Sequence, residues 1–553
     1  MLFSIIMTKM GVASLGSVLL LLLCCWLCVH RLRAKSESQE SIRHNVVLVE
    51  PSSYILRVVD QLQYLLKGPE IVQKAHIKNS PYAVRTPEGY QVQFSSREHI
   101  KQLVQAPDTY LSLHALAKDM FQPKYTMNGL EYDDCMSANG TVHQRALQAE
   151  LRSHLPALTQ PLHDCIVQAL AAEITAHKPQ SGEWRAVPIF PMAKRLITAA
   201  NALVFFGPEV SSDQVFLDAA LEYPEHLMET AEALRLLPAW VAPFAAPYLM
   251  RRHRALKILL DRLTPVVEAR IRKTSTTTTT TTAPEHADCI QFFVNAAARK
   301  NQQHEWPAQR IIQVLLGVWF ASVHQPAMCL FYALDDLCLH PEFTSALRDE
   351  VVHAAMPQPT TITTTTTTTQ QSEINPNHLP LLTSFLKESA RLHPTDSISL
   401  RRKVLQPFTL ADGTTLAKND VACIPLQPIL RDPDLYADPH TFNPYRFIIP
   451  QDPEKVNEGT RNPTTRTTSS DFTDADVTFP IWGLGKRACP GRYYASLLLK
   501  LVLAQILLRY EVKMVETAKD ERRYFYWRSA IVPKAGAGLL FRERGVRALA
   551  GVC

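Results

Sequence analysis

Apolar residues recur at helical spacing over five long stretches: Gln144 to Ala176, Ala246 to Ile271, Ala308 to Leu339, Leu379 to Leu392 and Tyr493 to Tyr510. That period predicts helices with at least one buried face. Between Leu400 and Pro425 the pattern shifts to short extended runs, broken by the turn sequence ADGTT at Ala411 to Thr415. The expected fold class is therefore mainly α with a minor β-sheet region. One apolar run has a different character. Val12 to Val29 carries no charge over 18 residues, about the length a bilayer core demands. It lacks the short core and small-residue cleavage site of a secretory leader. Lys9 precedes it, whereas His30, Arg31, Arg33 and Lys35 follow it, which puts the bulk of the chain on the cytoplasmic side. Residues 1–35 thus read as a single-pass membrane anchor, 36–50 as a polar tether and 51–553 as one globular body.

Three polar tracts interrupt that body, near 274–283, 360–371 and 460–476, the first two dominated by threonine. Such tracts bury too little apolar area to offset the entropy of ordering them. Because helical elements of one kind flank them, they read as surface insertions within one domain. The sequon Asn139 to Thr141 is idle if the body is cytoplasmic.

Composition narrows the function classes. With 46% hydrophobic and 20% charged residues the chain is of ordinary globular type. Its net charge of +6 comes without any lysine or arginine block, so nucleic acid is not an expected partner. Eleven cysteines at irregular spacing, one left over, do not make a disulfide framework. No paired CxxC motifs suggest structural zinc.

The stretch FPIWGLGKRACPG, Phe479 to Gly491, reads like chemistry. A thiolate suits a soft or redox-active metal, and haem iron takes one axial protein ligand. Pro490 suits the first turn of the apolar helix that follows, so Cys489 lies beside a helix N-terminus, which favours the thiolate. Gly485 and Gly491 would admit close backbone approach to a flat macrocycle. A buried structural cysteine remains the alternative at this point. Two further stretches weigh against it. FLKESARLHP sets Glu388 and Arg391 three apart on one helix face, and DPHTFNPYRF brings Arg446.

This order and spacing resemble the haem-thiolate cytochrome P-450 monooxygenases over essentially the whole chain. The resemblance implies a cytochrome P-450 fold behind the anchor, with haem b as cofactor and Cys489 as the axial iron ligand. It implies a structural triad of Glu388, Arg391 and Arg446. Arg487, Arg402, His143 and Arg145 would contact the haem propionates. At the position of Trp482 the family usually has phenylalanine, and an aromatic there still shields the sulfur. The helix Ala308 to Leu339 would cross the distal face. There the family's alanine, glycine, any residue, acid, threonine, threonine becomes Ala321, Ser322, Val323, His324, Gln325, Pro326. His324 and Gln325 thus replace the proton-relaying acid and alcohol. A histidine titrates near neutrality, and glutamine can hold a water. Pro326 has no amide hydrogen, which should kink the helix and free the carbonyl of Ser322. Leu227 to Leu249 would form a lid, and Trp319, Phe320 and Ala321 would line the pocket.

A histidine in that window resembles fungal members acting on terpenoids, alkaloids and polyketide-derived compounds. The implied reaction inserts one oxygen atom from O2 into a lipophilic molecule. Its electrons would come from an NADPH-cytochrome P-450 reductase, with cytochrome b5 as a second donor, at the endoplasmic reticulum membrane. Lys486, Arg487 and Arg492 would make the reductase-facing surface. Desaturation, ring formation or rearrangement on the same haem is an alternative, as is a non-catalytic haem carrier or sensor.

Overall fold

The strongest helical period forms one helix, Ala308–Leu339, of 32 residues. Around it the computed structural model describes residues 43–49, 54–127, 142–276, 286–299, 306–355, 374–449, 468–515 and 522–545. The proposed span 12–29, the sequon and both threonine tracts fall wholly or largely outside them. The fold is mainly helical with minor sheets. Helix Ile189–Phe206 lies along the long helix, and Gln214–Leu236 and Arg254–Thr276 pack beside it. The last helix, Arg492–Arg509, is apolar on most of its circumference, because it is buried between the long helix and Arg152–Thr175. Helices Ile189–Phe206 and Ala308–Leu339 are long and apolar enough to cross a membrane, but the first is largely and the second half buried in the protein.

The extended region 400–425 becomes strands Ile398–Val404 and Val421–Pro425, in the middle of a six-stranded sheet. The expected turn at Ala411 to Thr415 joins the two-residue strands Phe408–Thr409 and Thr415–Leu416. Gly413 takes φ +82° there, and Asp412 accepts from the Thr414 amide at 3.0 Å.

Two polar segments are more structured than their composition suggests. The end of the expected tether is an edge strand: Val47–Val49 pairs in parallel with Tyr82–Thr86, and Arg43 holds the buried Asp420 at 2.9 Å. In the third tract, Thr468–Ser469 pairs with Ile448–Ile449, and Phe472 is fully buried. That aromatic helps anchor the segment, because its burial removes a large apolar area from water, and Lys387 donates to Ser470 and to the Asp471 carbonyl beside it.

The sheet also sets up the site. Helix Arg97–Gln105, capped by Ser96, brings Val104 and, just beyond its end, Asp108 to the loop before Cys489.

Candidate active site

The loop preceding Cys489 is held by its own backbone. The Cys489 amide donates to the Trp482 carbonyl at 2.7 Å. Gly485, at φ +62°, lies where a Cβ would come within 2.4 Å of Val104 Cγ1, so a side chain is excluded on both counts. Gly491 differs: a Cβ there would meet nothing within 4 Å, so the polypeptide itself does not demand glycine at that position. Trp482 donates its indole N–H to the Phe472 carbonyl at 2.7 Å and packs edge-on against the Phe472 ring. A phenylalanine could not make that hydrogen bond.

Burial pushes the Cys489 thiol above its ordinary value, opposed by the Gly491 and Arg492 amides and the Arg492 guanidinium. The helix-terminus effect read from the sequence is present but is outweighed by desolvation in the protein alone. A cation bound at sulfur would reverse that balance.

Beside this loop, the chain collects cationic groups from distant segments. Arg487 pairs with Asp108. Arg402 is buried on strand Ile398–Val404, donates to the Arg401 carbonyl at 2.8 Å, and interacts with both Asp108 and Arg487. Burial lowers the Arg402 guanidinium to about 10. His143, on Val142–Arg145, is lowered to about 4 by burial, with Arg487 and His114 adding to the effect. Its Nδ1 is buried without a hydrogen-bond partner. Two guanidiniums thus share one carboxylate, with the His143 and His114 imidazoles beside Arg487, an excess of donors suited to further carboxylates. Arg145 faces solvent instead.

The Glu388–Arg391 pair expected on one helix face is completely buried. Arg391 donates through Nε and Nη2 to the two Glu388 oxygens at 2.7 and 2.8 Å, with both side chains fully buried. Arg446 Nε reaches both oxygens at 3.0 Å. Two guanidiniums on one carboxylate leave a buried positive charge, which carbonyl oxygens answer. Arg391 donates to Leu430 at 2.8 Å and Pro439 at 2.6 Å, and Arg446 to Ala437, Asp438 and Thr441. The cluster pins the 430–446 meander to helix Pro380–Leu392.

On the long helix, Ala321 and Gln325, four residues apart, present one accessible face, while Val323 and Ala327 are buried. Trp319 does not belong to that face. It is fully buried, donates to the Ala220 carbonyl at 2.8 Å and packs on Phe205 and Phe206. Phe320 meets Phe121 edge-on at 4.7 Å. His324 is half-buried, and desolvation lowers it to about 4, so it is neutral at pH 7. Its Nδ1 is buried without a hydrogen-bond partner. The Lys194–Glu225 ion pair lies close enough to act on it with opposing effects. The expected titration near neutrality is therefore corrected: burial removes it.

One expectation at Pro326 is also corrected. The helix is continuous through Pro326, and the Ser322 carbonyl, which has no amide at 326 to bond, is not left free. Asn201 Nδ2 donates to it at 2.8 Å and to Ser322 Oγ at 3.2 Å. Sequence reasoning missed Asn201, a fully buried polar residue on the largely apolar helix Ile189–Phe206.

The family model described as Cytochrome P450 matches residues 130–541. The chain belongs to the cytochrome P450 family. Among its relatives, Cytochrome P450 monooxygenase paxP of Penicillium paxilli is 26% identical over 499 residues, covering 89% of this chain and 88% of that protein. Cytochrome P450 monooxygenase penP of Penicillium crustosum is 27% identical over 504 residues, covering 88% and 87%. Cytochrome P450 monooxygenase 71 of Postia placenta is 26% identical over 507 residues, covering 92% and 94%. The protein is a cytochrome P450 monooxygenase, and membership of this family implies haem, a substrate and a redox partner.

Within this monooxygenase, the surface expected to face a reductase is smaller than the sequence suggests. Lys486 is exposed, but Arg487 is engaged with Asp108. Arg492 turns inward, donating to the Thr473 carbonyl at 3.1 Å and the Cys489 carbonyl at 2.9 Å.

Proposed function

We propose that this monooxygenase binds haem b through Cys489 and inserts one oxygen atom from O2 into a lipophilic fungal-type secondary metabolite. The observation that carries the reading is the juxtaposition at Cys489. A half-buried cysteine whose thiol faces two backbone N–H groups sits in a loop whose Arg487 shares the Asp108 carboxylate with Arg402 and lies beside His143. These donors fit a flat, iron-bearing dicarboxylate: Cys489 would ligate the iron, and Arg402, Arg487 and the orphaned His143 Nδ1 would take the propionates.

Bound haem supplies dioxygen activation. The chain's own residues supply positioning and proton handling. Trp482, anchored through its indole N–H, holds an aromatic plane in the loop that carries the sulfur. His324, neutral at pH 7, holds one proton and one lone pair. It can pass a hydrogen bond along without carrying a charge, unlike the acid it replaces. Gln325, on the accessible face beside Ala321, can orient a water but cannot release a proton. Ser322 donates its hydroxyl hydrogen to the Trp319 carbonyl at 2.8 Å, so it is a structural rather than a proton-delivering alcohol. The lack of an acid–alcohol pair keeps desaturation or ring formation as the second reading. Product mass separates them: a gain of one oxygen supports insertion, and loss of two hydrogens supports the other.

The placement proposed for the protein is the endoplasmic reticulum membrane, with the body cytoplasmic and electrons delivered from NADPH by a flavoprotein reductase, with cytochrome b5 as a second donor. Besides the basic flank after Val29, support comes from Phe244 and Tyr248, 79% and 84% exposed on helix Ala242–Leu249 and followed by the cations Arg251 and Arg252. Aromatics beside cations suit an interface between water and lipid.

The first test needs no substrate. Full-length protein in membranes is reduced with dithionite and exposed to carbon monoxide. A strongly red-shifted Soret band supports the thiolate assignment; a band typical of histidine-ligated haem, or no haem signal from folded protein, overturns it.

A further inference from the structure

Pro326 removes the amide that would bond the Ser322 carbonyl in an unbroken helix, and its ring crowds that carbonyl. A buried carbonyl with no donor is costly. The replacement donor comes from another helix, 121 residues away in sequence: Asn201 Nδ2 at 2.8 Å. The orientation of the Asn201 amide is determined by its partners. The Ser322 carbonyl can only accept, so it faces the NH2 group. Asn201 Oδ1, on the other side, accepts from the Tyr494 hydroxyl at 2.7 Å. Asn201 is fully buried, and Tyr494 lies on Arg492–Arg509, the helix that begins three residues after Cys489. One turn on from Asn201, Phe205 packs edge-on against both Trp319 and Tyr494, covering the Asn201–Tyr494 end of the polar chain.

We propose that Asn201 is a positioning residue that stands in for the missing Pro326 amide. Through Tyr494 it couples the turn bearing Ala321, Ser322, His324 and Gln325 to the helix rooted at the Cys489 loop. The inference rests on the haem-thiolate reading for its functional meaning, but the hydrogen-bond substitution is a property of the chain alone. It explains why a proline is tolerated in mid-helix at the point where the accessible face must keep its shape. It also explains why asparagine, and not aspartate, suits this site: a carboxylate would present an acceptor to an acceptor.

The test is a two-by-two set of full-length variants: wild type, Asn201→Ala, Pro326→Ala and the double variant. One readout is amide hydrogen exchange across Trp319–Met328. The other is the C–O stretch of the carbon monoxide complex, which reports the electric field over the iron. Asn201→Ala is expected to speed exchange in that segment by about tenfold, from the loss of one buried carbonyl's partner, and to shift the C–O stretch. Pro326→Ala restores an amide at the right position, so the double variant should recover most of both. Tyr494→Phe, which keeps the ring, should move both readouts in the same direction by less. An Asn201→Ala effect of equal size in both Pro326 backgrounds overturns the proposal, as does unchanged exchange. A shift in exchange with an unmoved C–O stretch also overturns it, since Asn201 would then be structural only. Absence of a thiolate spectrum in the wild type would sink the haem reading while leaving the exchange cycle interpretable.

Discussion

The Cys489 side and the long-helix side of this monooxygenase are held in different ways. Around Cys489, the loop satisfies much of itself, apart from Arg487 on Asp108: Cys489 bonds Trp482, Trp482 bonds Phe472, and Arg492 bonds Cys489 and Thr473, all within about twenty residues of chain. The nearby Glu388 cluster is likewise answered by carbonyls of a single meander. On the long helix, the Ser322–Pro326 turn depends on groups from other helices. Asn201 and Lys194 come from Ile189–Phe206, Glu225 from Gln214–Leu236 and Tyr494 from Arg492–Arg509. A locally satisfied loop keeps its geometry when distant packing shifts. A helix turn braced from outside can be retuned by changes far from it, which suits the side where substrate chemistry must vary.

The largest effect should come from Cys489→Ala, which removes the proposed axial thiolate. The carbon monoxide difference spectrum should lose its thiolate band completely; a normal band would sink the ligand assignment. Next is Glu388→Ala. It leaves two guanidiniums buried beside no carboxylate, and losing one partner of a buried ion pair costs about 3–5 kcal/mol. Denaturant unfolding should show a loss of that order, and a loss under about 1 kcal/mol would mean that the carbonyls alone hold Arg391 and Arg446.

The long-helix side predicts a pH effect. His324 is lowered to about 4 in the fold, whereas an unfolded histidine titrates near ~6.5. Between those values the unfolded chain binds a proton that the folded chain refuses, so stability falls as pH drops from about 6.5 toward about 4, by up to ~1.4 kcal/mol per pH unit. His324→Gln should flatten the fall in melting temperature between pH 7 and pH 5, leaving the similarly lowered His143 to account for a remainder. An unchanged slope would mean that His324 charges in the folded protein. The smallest effect is expected from Trp482→Phe. It deletes one indole hydrogen bond to Phe472, about 1 kcal/mol, measurable as a small decrease in denaturant midpoint with the thiolate spectrum retained.

Much of the Cys489 side was legible in the sequence because its signals are short-range. A cysteine between glycines and a proline, and a Glu–Arg pair three apart on a helix, are visible in a window of a few residues. What those windows could not show is burial. The Glu388–Arg391 pair has the spacing of an ordinary surface pair, and only packing makes it a fully desolvated cluster. The same limitation misjudged His324, whose sequence neighbours give no measure of its desolvation, and Trp319, whose indole turns to Ala220 and away from the accessible face.

By itself, the amino-acid sequence determined the mainly helical class, the long 32-residue helix, the strand region 400–425, and the membership-bearing order of Glu388, Arg391, Arg446 and Cys489. Those features follow from local periodicity and local spacing. Tertiary structure alone decided that the apolar end of the tether, Val47–Val49, and the polar Thr468–Ser469 become strands. It alone gathered Arg402, Arg487, Asp108 and His143 from four separate segments, and it alone gave the Ser322 carbonyl to Asn201. The physical reason is common to all three. A backbone or charged group withdrawn from water must find a partner, and the folded chain supplies one from whatever segment packing brings near, at a separation that no sequence window spans.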